Sequence, residues 1–148
     1  FSSKSELIAA LFERFSRQIF AFLDHVATTE SRAGDRLLAY IEESRGLIEE
    51  GESICLWMAL NIDQQSLQAA MVDDLAIFHQ TNIEWLIDTF KLGLLDGSIA
   101  DVGDPEEEAN ACLAVVDGGQ LTARALQDAK YYDQATCLLR SRINVPTS

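Results

Sequence analysis

Aromatic side chains and a few polar ones recur on neighbouring segments of the sequence, and together they have the chemistry of a small-molecule pocket. Such pockets are mostly apolar and carry few fixed polar groups. Asn82 lies among large apolar residues, where an unpaired amide costs about 1–3 kcal/mol, so a protein group or a ligand must satisfy it. Plain core packing is the alternative for each aromatic residue. The predicted ligand-binding residues are Phe15, Tyr40, Trp57, Met58, Phe78, Asn82 and Trp85.

Cys55 has the chemistry of a possible redox or electrophile sensor. If Ser53 caps a short helix, Cys55 lies in its first turn, where the helix dipole favours a thiolate and lowers the pKa of the thiol. The alternative is a small buried hydrophobic side chain. That alternative is also our interpretation of Cys112 and Cys137.

The motifs of common enzyme classes are missing from the sequence. A di-iron site in a helical bundle needs Glu three residues before His, but Phe22 precedes His25 and Ala76 precedes His79 at that spacing. There is no H-E-x-x-H, no phosphate-binding loop and no G-x-S-x-G. The acidic run 106–108 is typical of a solvated helix start. We therefore predict no catalytic residue, no metal site and no cofactor.

The charge balance excludes several classes of partner. The 148 residues carry 11 basic and 24 acidic side chains, a net charge of −13. This charge repels phosphate backbones, so the chain itself should bind neither DNA nor RNA. No basic amphipathic stretch suits a membrane surface, and no apolar run approaches the roughly 18 residues of a membrane span. The three cysteines lack C-x-x-C spacing, which is typical of reduced thiols and indicates a cytoplasmic protein.

Apolar residues at three- and four-residue spacing predict one all-α domain over residues 1–148, with six helices and no sheet. The S-x-x-E pattern of Ser3 and Glu6 predicts the first helix start. Asp104 followed by Pro105 predicts the start of the fifth helix. The apolar run 54–60 predicts a short helix sunk in the core. The helices are expected at about 4–26, 34–50, 54–60, 65–95, 105–126 and 131–143.

The last two predicted helices contain small residues at which another backbone could approach closely. Each Gly in a helix interior costs up to about 1 kcal/mol relative to Ala, so its presence favours close helix packing. A two-helix hairpin that meets its twin would form a four-helix-bundle dimer interface. Packing within the chain is the alternative. The predicted interface residues are Gly118, Gly119, Ala123, Leu126, Tyr132, Leu138 and Leu139.

The first residues, FSSKSEL, resemble the F-x-S-K-x-x-L stretch with which tetracycline-repressor (TetR-like) transcription regulators leave their DNA-binding domain. Phe1, Ser3, Lys4 and Leu7 match that stretch. The order of the later elements is similar to the effector-binding and dimerisation domain of the family. The resemblance implies a six-helix orthogonal bundle whose last two helices form the dimer interface. It also implies that an N-terminal helix-turn-helix head is absent from this sequence, with residues 1–4 as the junction to it.

The resemblance further implies a function. Such a protein would be a ligand-responsive transcription regulator, in most cases a repressor, which forms a homodimer and binds a small apolar or aromatic effector. Operator DNA would be bound by the absent head and not by this fragment. The alternative is a helical protein-interaction adaptor without a small-molecule ligand. Thermal stabilisation by apolar and aromatic compounds would distinguish the two.

Overall fold

The computed structural model describes residues 3–51 and 53–146, which form six α-helices. Phe1 of the predicted junction lies outside the described residues. The helices are α1 (Lys4–Thr29), α2 (Ala33–Gly46), α3 (Leu56–Ile62), α4 (Ala69–Asp96), α5 (Pro105–Leu126) and α6 (Lys130–Ser141). The predicted all-α class is confirmed. Among the described residues, no helix combines the length and the apolar character needed to cross a membrane.

The helix starts predicted at Ser3 and Asp104 are confirmed. The Oγ of Ser3 accepts a hydrogen bond from the amide of Glu6 at 3.2 Å. The Oδ1 of Asp104 accepts from two amides in the first turn of α5, at 3.0 and 3.1 Å. α4 ends at Gly97, whose φ of 69° lies in the left-handed region that glycine adopts without strain. These residues define one end of each of the three longest helices, α1, α4 and α5.

The predicted end of α2 is wrong, because the helix stops at Gly46 and not near residue 50. Glu49, Glu50 and Gly51 follow with φ of 46°, 59° and 94° and form a turn. A Cβ on Gly51 would lie 2.5 Å from the backbone nitrogen of Asp128. Glycine therefore lets this turn pack closely against the connection between α5 and α6.

The prediction that α3 is sunk in the core is also wrong. None of its residues is buried. α3 packs against α1 and, through Trp57, against α4, and its other apolar residues stay partly exposed. A short 3-10 turn, Gln64–Ser66, separates α3 from α4. α4 consequently starts at Ala69 and not at residue 65.

α5 packs against both α4 and α6 and is hydrogen-bonded to α2. Gln120 of α5 is 2% exposed, and its Nε2 donates to the carbonyl of Ser44 at 2.8 Å. Tyr132 of α6 is fully buried, and its hydroxyl donates to the carbonyl of Ile41 at 2.7 Å. Both carbonyls belong to α2, so the two bonds hold that helix against α5 and α6.

The segment after α6 is bonded to the connection between α4 and α5. Ile99 and Ile143 form an isolated antiparallel bridge. The amide of Asn144 donates to a carbonyl of the same connection at 2.8 Å. The guanidinium of Arg142 donates to both carboxylate oxygens of Glu108 at 2.9 Å. A charge-assisted pair with this fork geometry is stronger than a neutral hydrogen bond, and it ties the end of α6 to the first turn of α5.

Candidate ligand site

A cavity of about 40 Å³ lies inside the bundle between α1, α2, α4 and α5, and the start of α3 completes its wall. A volume of this size holds about one or two water molecules. The part of the wall from α1 is entirely apolar, whereas the other helices also contribute polar groups. The wall consists of Phe15, Ile19, Phe22 and Leu23 from α1, Tyr40, Glu43, Ser44 and Leu47 from α2 and its end, Cys55 and Trp57 at α3, Phe78, His79 and Asn82 from α4, and Leu113, Val116, Asp117 and Gln120 from α5.

Phe78 is the centre of the aromatic part of the wall. Its side chain is 7% exposed, and its ring centroid lies 5.5 Å from those of Phe12 and Phe15. The rings of Phe20 and Trp57 lie at 5.6 and 6.3 Å. Rings from α1 and α3 thus meet on one residue of α4, and pairs at these distances attract one another beyond their burial.

Two indole hydrogen bonds position the larger rings. The indole N–H of Trp57 donates to the carbonyl of Leu75 at 3.1 Å. The indole N–H of Trp85 donates to the carbonyl of Leu23 at 3.0 Å, and its ring stacks on that of Tyr40 with centroids 5.8 Å apart. Trp85 therefore supports Tyr40 without reaching the cavity itself.

Three polar side chains on the wall have unused hydrogen-bonding capacity. The Oε1 of Gln120 and the Nδ1 of His79 are buried and have no partner among the described residues. No hydrogen bond or ion pair within residues 3–51 and 53–146 reaches the carboxyl group of Asp117. The His79 ring is held in place by stacking on Trp57, with centroids 5.7 Å apart and an interplanar angle of 16°. Buried groups of this kind normally have a partner.

The electrostatics of the cavity are dominated by acidic groups. Burial raises the pKa of the Asp117 carboxyl to about 7. Burial also raises the pKa of the Tyr40 phenol, and the nearby Cys112 and Asp117 add to that shift. Glu43 is a second carboxyl on the wall, and neither Lys nor Arg is among the described residues that line it. No described Lys or Arg on the wall could therefore neutralise Asp117.

Five of the seven predicted ligand-binding residues line the cavity. They are Phe15, Tyr40, Trp57, Phe78 and Asn82. Met58 and Trp85 do not, because Met58 lies on another side of α3 and Trp85 lies beyond Tyr40. The side-chain nitrogen of Asn82 donates to the carbonyl of Phe78 at 2.9 Å, so the protein itself satisfies that donor.

The prediction missed the whole contribution of α5. Leu113, Val116, Asp117 and Gln120 follow the three- and four-residue spacing of one helix face. That spacing was the available signal. A polar residue such as Gln120 on an otherwise apolar face marks a position that needs a partner.

Solved structures similar to this chain are transcription regulators. A TetR-family regulator from Agrobacterium tumefaciens has 25% identity and a TM-score of 0.88 over 98% of this chain and 77% of its own. NemR from E. coli, in its reduced form, has 22% identity and a TM-score of 0.83 over 100% and 78%. The regulatory protein TetR from Rhodobacter sphaeroides has 20% identity and a TM-score of 0.82 over 97% and 77%. No family model and no curated protein matches the sequence.

The chain is TetR-like. It has the six-helix fold of TetR-family transcription regulators along nearly its whole length. The resemblance and the fold class predicted from the sequence are therefore confirmed. By its fold, the chain is a transcription regulator.

The structure does not support the reason given for a reactive Cys55 in the TetR-like chain. α3 begins at Leu56, after Cys55, and has no side-chain cap. The hydroxyl of Ser53 instead donates to a carboxylate oxygen of Glu49 at 3.1 Å, so the predicted cap is wrong. Burial raises the pKa of the Cys55 thiol to about 11, although backbone hydrogen bonds from α3 oppose the shift. A sensor role for Cys55 stays a prediction. The raised pKa disfavours the thiolate on which that prediction was based.

We expect Cys137 to react first when the TetR-like chain is treated with limiting iodoacetamide at neutral pH. Cys137 is exposed, whereas burial raises the pKa of Cys55 to about 11 and that of Cys112 to about 12. Because the thiolate is the nucleophile, both buried thiols should be at least about tenfold slower. Peptide mass spectrometry over time measures the three rates, with the urea-unfolded chain as the control for intrinsic reactivity. Faster labelling of Cys55 would contradict the buried conformation and restore the sensor hypothesis.

The predicted dimer residues of the TetR-like chain divide into a buried and an exposed group. Gly119, Ala123, Tyr132 and Leu139 are buried within the single chain, so their burial does not depend on a second copy, and a role in dimerisation stays a prediction for these four. A Cβ on Gly119 would lie 3.1 Å from the ring of Tyr132 and 3.2 Å from the Cβ of Ala135. The small residue thus serves the packing of α6 on α5, which was the alternative interpretation.

The other predicted dimer residues lie on an exposed apolar surface, the α5–α6 face. It consists of Val115, Gly118, Leu121, Leu126 and Leu138. Leu138 is 80% exposed and Leu126 is 55% exposed. Val115 and Leu138 line one surface groove between the two helices, and a Cβ on Gly118 would meet no atom within 4 Å. Exposed apolar side chains on two neighbouring helices are typical of an interface.

Proposed function

We propose that the chain is the effector-binding and dimerisation domain of a ligand-responsive repressor in the cytoplasm. Operator DNA would be bound by an N-terminal helix-turn-helix head and not by this domain, whose net charge of −13 repels phosphate. The observation that carries the proposal is the cavity between α1, α2, α4 and α5 with a buried, unpartnered polar atom on its wall. A small apolar or aromatic effector fits that wall.

Occupation of the cavity would act on α1 directly. Phe15, Ile19, Phe22 and Leu23 all lie on its wall, and α1 is the helix that would lead to the head. The volume of about 40 Å³ is far below the roughly 300 Å³ of a usual ligand site, so a bound effector has to move the walls apart. The resulting shift in α1 is limited by the difference in the effector's affinity for the two conformations.

Dimerisation would use the α5–α6 face. Two copies related by a twofold axis would bury Leu138 of one chain against the same surface of the other. α5 also contributes Asp117 and Gln120 to the cavity. One helix therefore lies next to both the effector and the second copy, which lets the two binding events influence each other.

The effector proposal is tested by thermal unfolding of the purified 148-residue chain with a panel of aromatic and aliphatic compounds of different charge. Binding to the folded state raises the midpoint temperature with ligand concentration. We expect at least one chemical class to stabilise the chain, and stabilisation to weaken when Phe78 is replaced by Leu. A panel without any stabilising compound would contradict the effector role and favour an interaction domain that binds no small molecule.

We expect Leu138→Glu to convert a dimer into a monomer in sedimentation equilibrium. The substitution places a charge in the centre of the α5–α6 face, where a second copy would have to desolvate it. Leu95→Glu is the matched control, because Leu95 is 86% exposed and lies at the end of α4, outside the two helices of that face. A wild-type chain that sediments as a monomer, or a dimer that Leu138→Glu leaves intact, would contradict the proposed interface.

A further inference from the structure

The polar groups of the cavity that lack partners include strong hydrogen-bond acceptors. Gln120 is 2% exposed, and its Oε1 is buried without a partner among the described residues. Its Nε2 donates to the carbonyl of Ser44 at 2.8 Å. If the nitrogen and oxygen of the Gln120 amide were exchanged, its oxygen would face the carbonyl oxygen of Ser44. The hydrogen bond therefore fixes the amide orientation and leaves Oε1 as the acceptor without a partner. A ligand that satisfies Gln120 must donate a hydrogen bond to it.

The carboxyl group of Asp117 lies on the same helix face as this acceptor. The two residues are three positions apart on α5, a spacing that places side chains next to each other. Asp117 has no hydrogen bond or ion pair with any described residue. On α4, the buried Nδ1 of His79 is a third acceptor in the tautomer that carries its proton on Nε2.

Among the described residues of the wall, no Lys or Arg balances these groups. Glu43 adds a second carboxyl to the wall, and the described lining residues include neither Lys nor Arg. An anionic ligand would therefore meet carboxylates without a counter-ion, which is costly in a partly buried site. Above about pH 7, where Asp117 ionises, a neutral ligand would leave its charge unpaired.

We propose that the effector is a lipophilic organic cation with at least one N–H, a protonated amine whose head group lies between Asp117 and the Oε1 of Gln120. The inference deepens the proposed function and rests on it. The ammonium group donates to both oxygens, and its charge pairs with the carboxylate. The apolar part of the amine packs on Phe78 and Trp57, whose ring faces also attract a cation.

The size of the cavity agrees with a preformed site for the head group alone. Its volume of about 40 Å³ accommodates a group the size of a water molecule or two, which describes an ammonium. The body of the amine needs more room. Trp57 is one wall residue that could provide it, because it lies on α3, which contains no buried residue, but moving its ring would break its hydrogen bond to the carbonyl of Leu75.

The inference predicts a pH dependence of binding. Burial raises the pKa of Asp117 to about 7, so its carboxylate becomes available as the pH rises through that value. The other titratable groups that face it are Tyr40 and Glu43 from α2, Cys55 before α3, His79 from α4 and Cys112 from α5. The α1 wall has none. Affinity for an amine should therefore increase between about pH 5.5 and pH 8, whereas affinity for a neutral analogue should not.

The test uses three probes of one shape and different charge, namely 3-phenylpropylamine, 3-phenylpropanol and 3-phenylpropionate. Their binding to the 148-residue chain is measured by calorimetry and thermal shift at about 0.15 M salt, which screens attraction to the acidic surface. We expect the amine to bind at least about tenfold more tightly than the alcohol, and the carboxylate to bind least. Asp117→Asn should abolish the preference for the amine and its pH dependence, while binding of the alcohol is retained.

Control variants separate the possible outcomes. Asp73→Asn, at an exposed position of α4, should leave the preference unchanged. If Glu43→Gln abolishes the preference and Asp117→Asn does not, the assignment of the head group to Asp117 is overturned. If the alcohol or the carboxylate binds as well as the amine, the cation inference fails and the effector site remains. If none of the three probes and no compound of the wider panel binds, the proposed function fails with it.

Discussion

Asp117→Asn is expected to raise the free energy of unfolding by about 2 kcal/mol above pH 7, and by almost nothing near pH 4. Burial raises the pKa of this carboxyl to about 7, so the folded chain retains a proton that the unfolded chain releases near pH 4. Stability is therefore lost as the pH rises from about 4 to about 7. Asparagine never ionises and avoids that loss. Urea unfolding at several pH values measures the difference between the two chains.

The matched control is Asp73→Asn, which removes an acidic charge from an exposed position of α4. Its effect on stability should be below about 0.5 kcal/mol and should not follow the same pH curve. Subtracting the wild-type values cancels the contribution of Glu108 and Asp133. The pKa of each is lowered, mainly by a hydrogen bond from Arg142 and Arg45 respectively. A pH-independent gain, or a loss above pH 7, would show that Asp117 ionises freely in the folded chain.

Phe78→Ala is expected to lower the free energy of unfolding by about 3–5 kcal/mol. The ring of Phe78 contacts aromatic rings from α1 and from α3, and its removal leaves a hole that a rigid helical wall fills poorly. Denaturant unfolding, followed by helical circular dichroism, measures the loss. A loss below about 1 kcal/mol would show that the cavity wall collapses around the shorter side chain.

The neighbouring residue provides the control for this change. Ile77 lies on the same helix and is 61% exposed, so Ile77→Ala should cost less than about 1 kcal/mol. Should Phe78→Ala fail to fold, Phe78→Leu keeps most of the buried volume and should lose only about 1–2 kcal/mol. Equal losses for the substitutions at the two positions would contradict the central place of Phe78 in the wall.

Helix periodicity and capping residues predicted most of the fold. Long amphipathic segments such as α1 and α5 have many repeats of the spacing, and their starts carry side chains that cap amides directly. The region between α2 and α4 was predicted poorly. Its turn depends on left-handed backbone at Glu49 and Glu50 and on close packing of Gly51 against a connection far away in the sequence. Tertiary contacts determine the conformation of such a segment, and local helix propensity does not predict that conformation.

The candidate site was predicted in part for the same reason. Aromatic residues such as Phe78 and Trp57 stand out by size and by spacing on one helix. The acceptor of Gln120 becomes significant only once its nitrogen is seen to bond the carbonyl of Ser44, which is 76 positions away. The acidity of Asp117 likewise depends on burial by other helices. Sequence patterns predict which face of a helix is buried, but not which buried group lacks a partner.

The bonds made by the segment after α6 determine when this chain can finish folding during its own synthesis. The guanidinium of Arg32 donates to the carbonyl of Asn144 at 2.6 Å. The carboxylate of Glu108 accepts from two guanidinium nitrogens of Arg142. Domains emerge from the ribosome amino end first. The start of α2 and the first turn of α5 therefore stay open until residue 144 has left the exit tunnel. A nascent chain stalled before that point would leave these contacts unmade and expose the interior to chaperones and proteases.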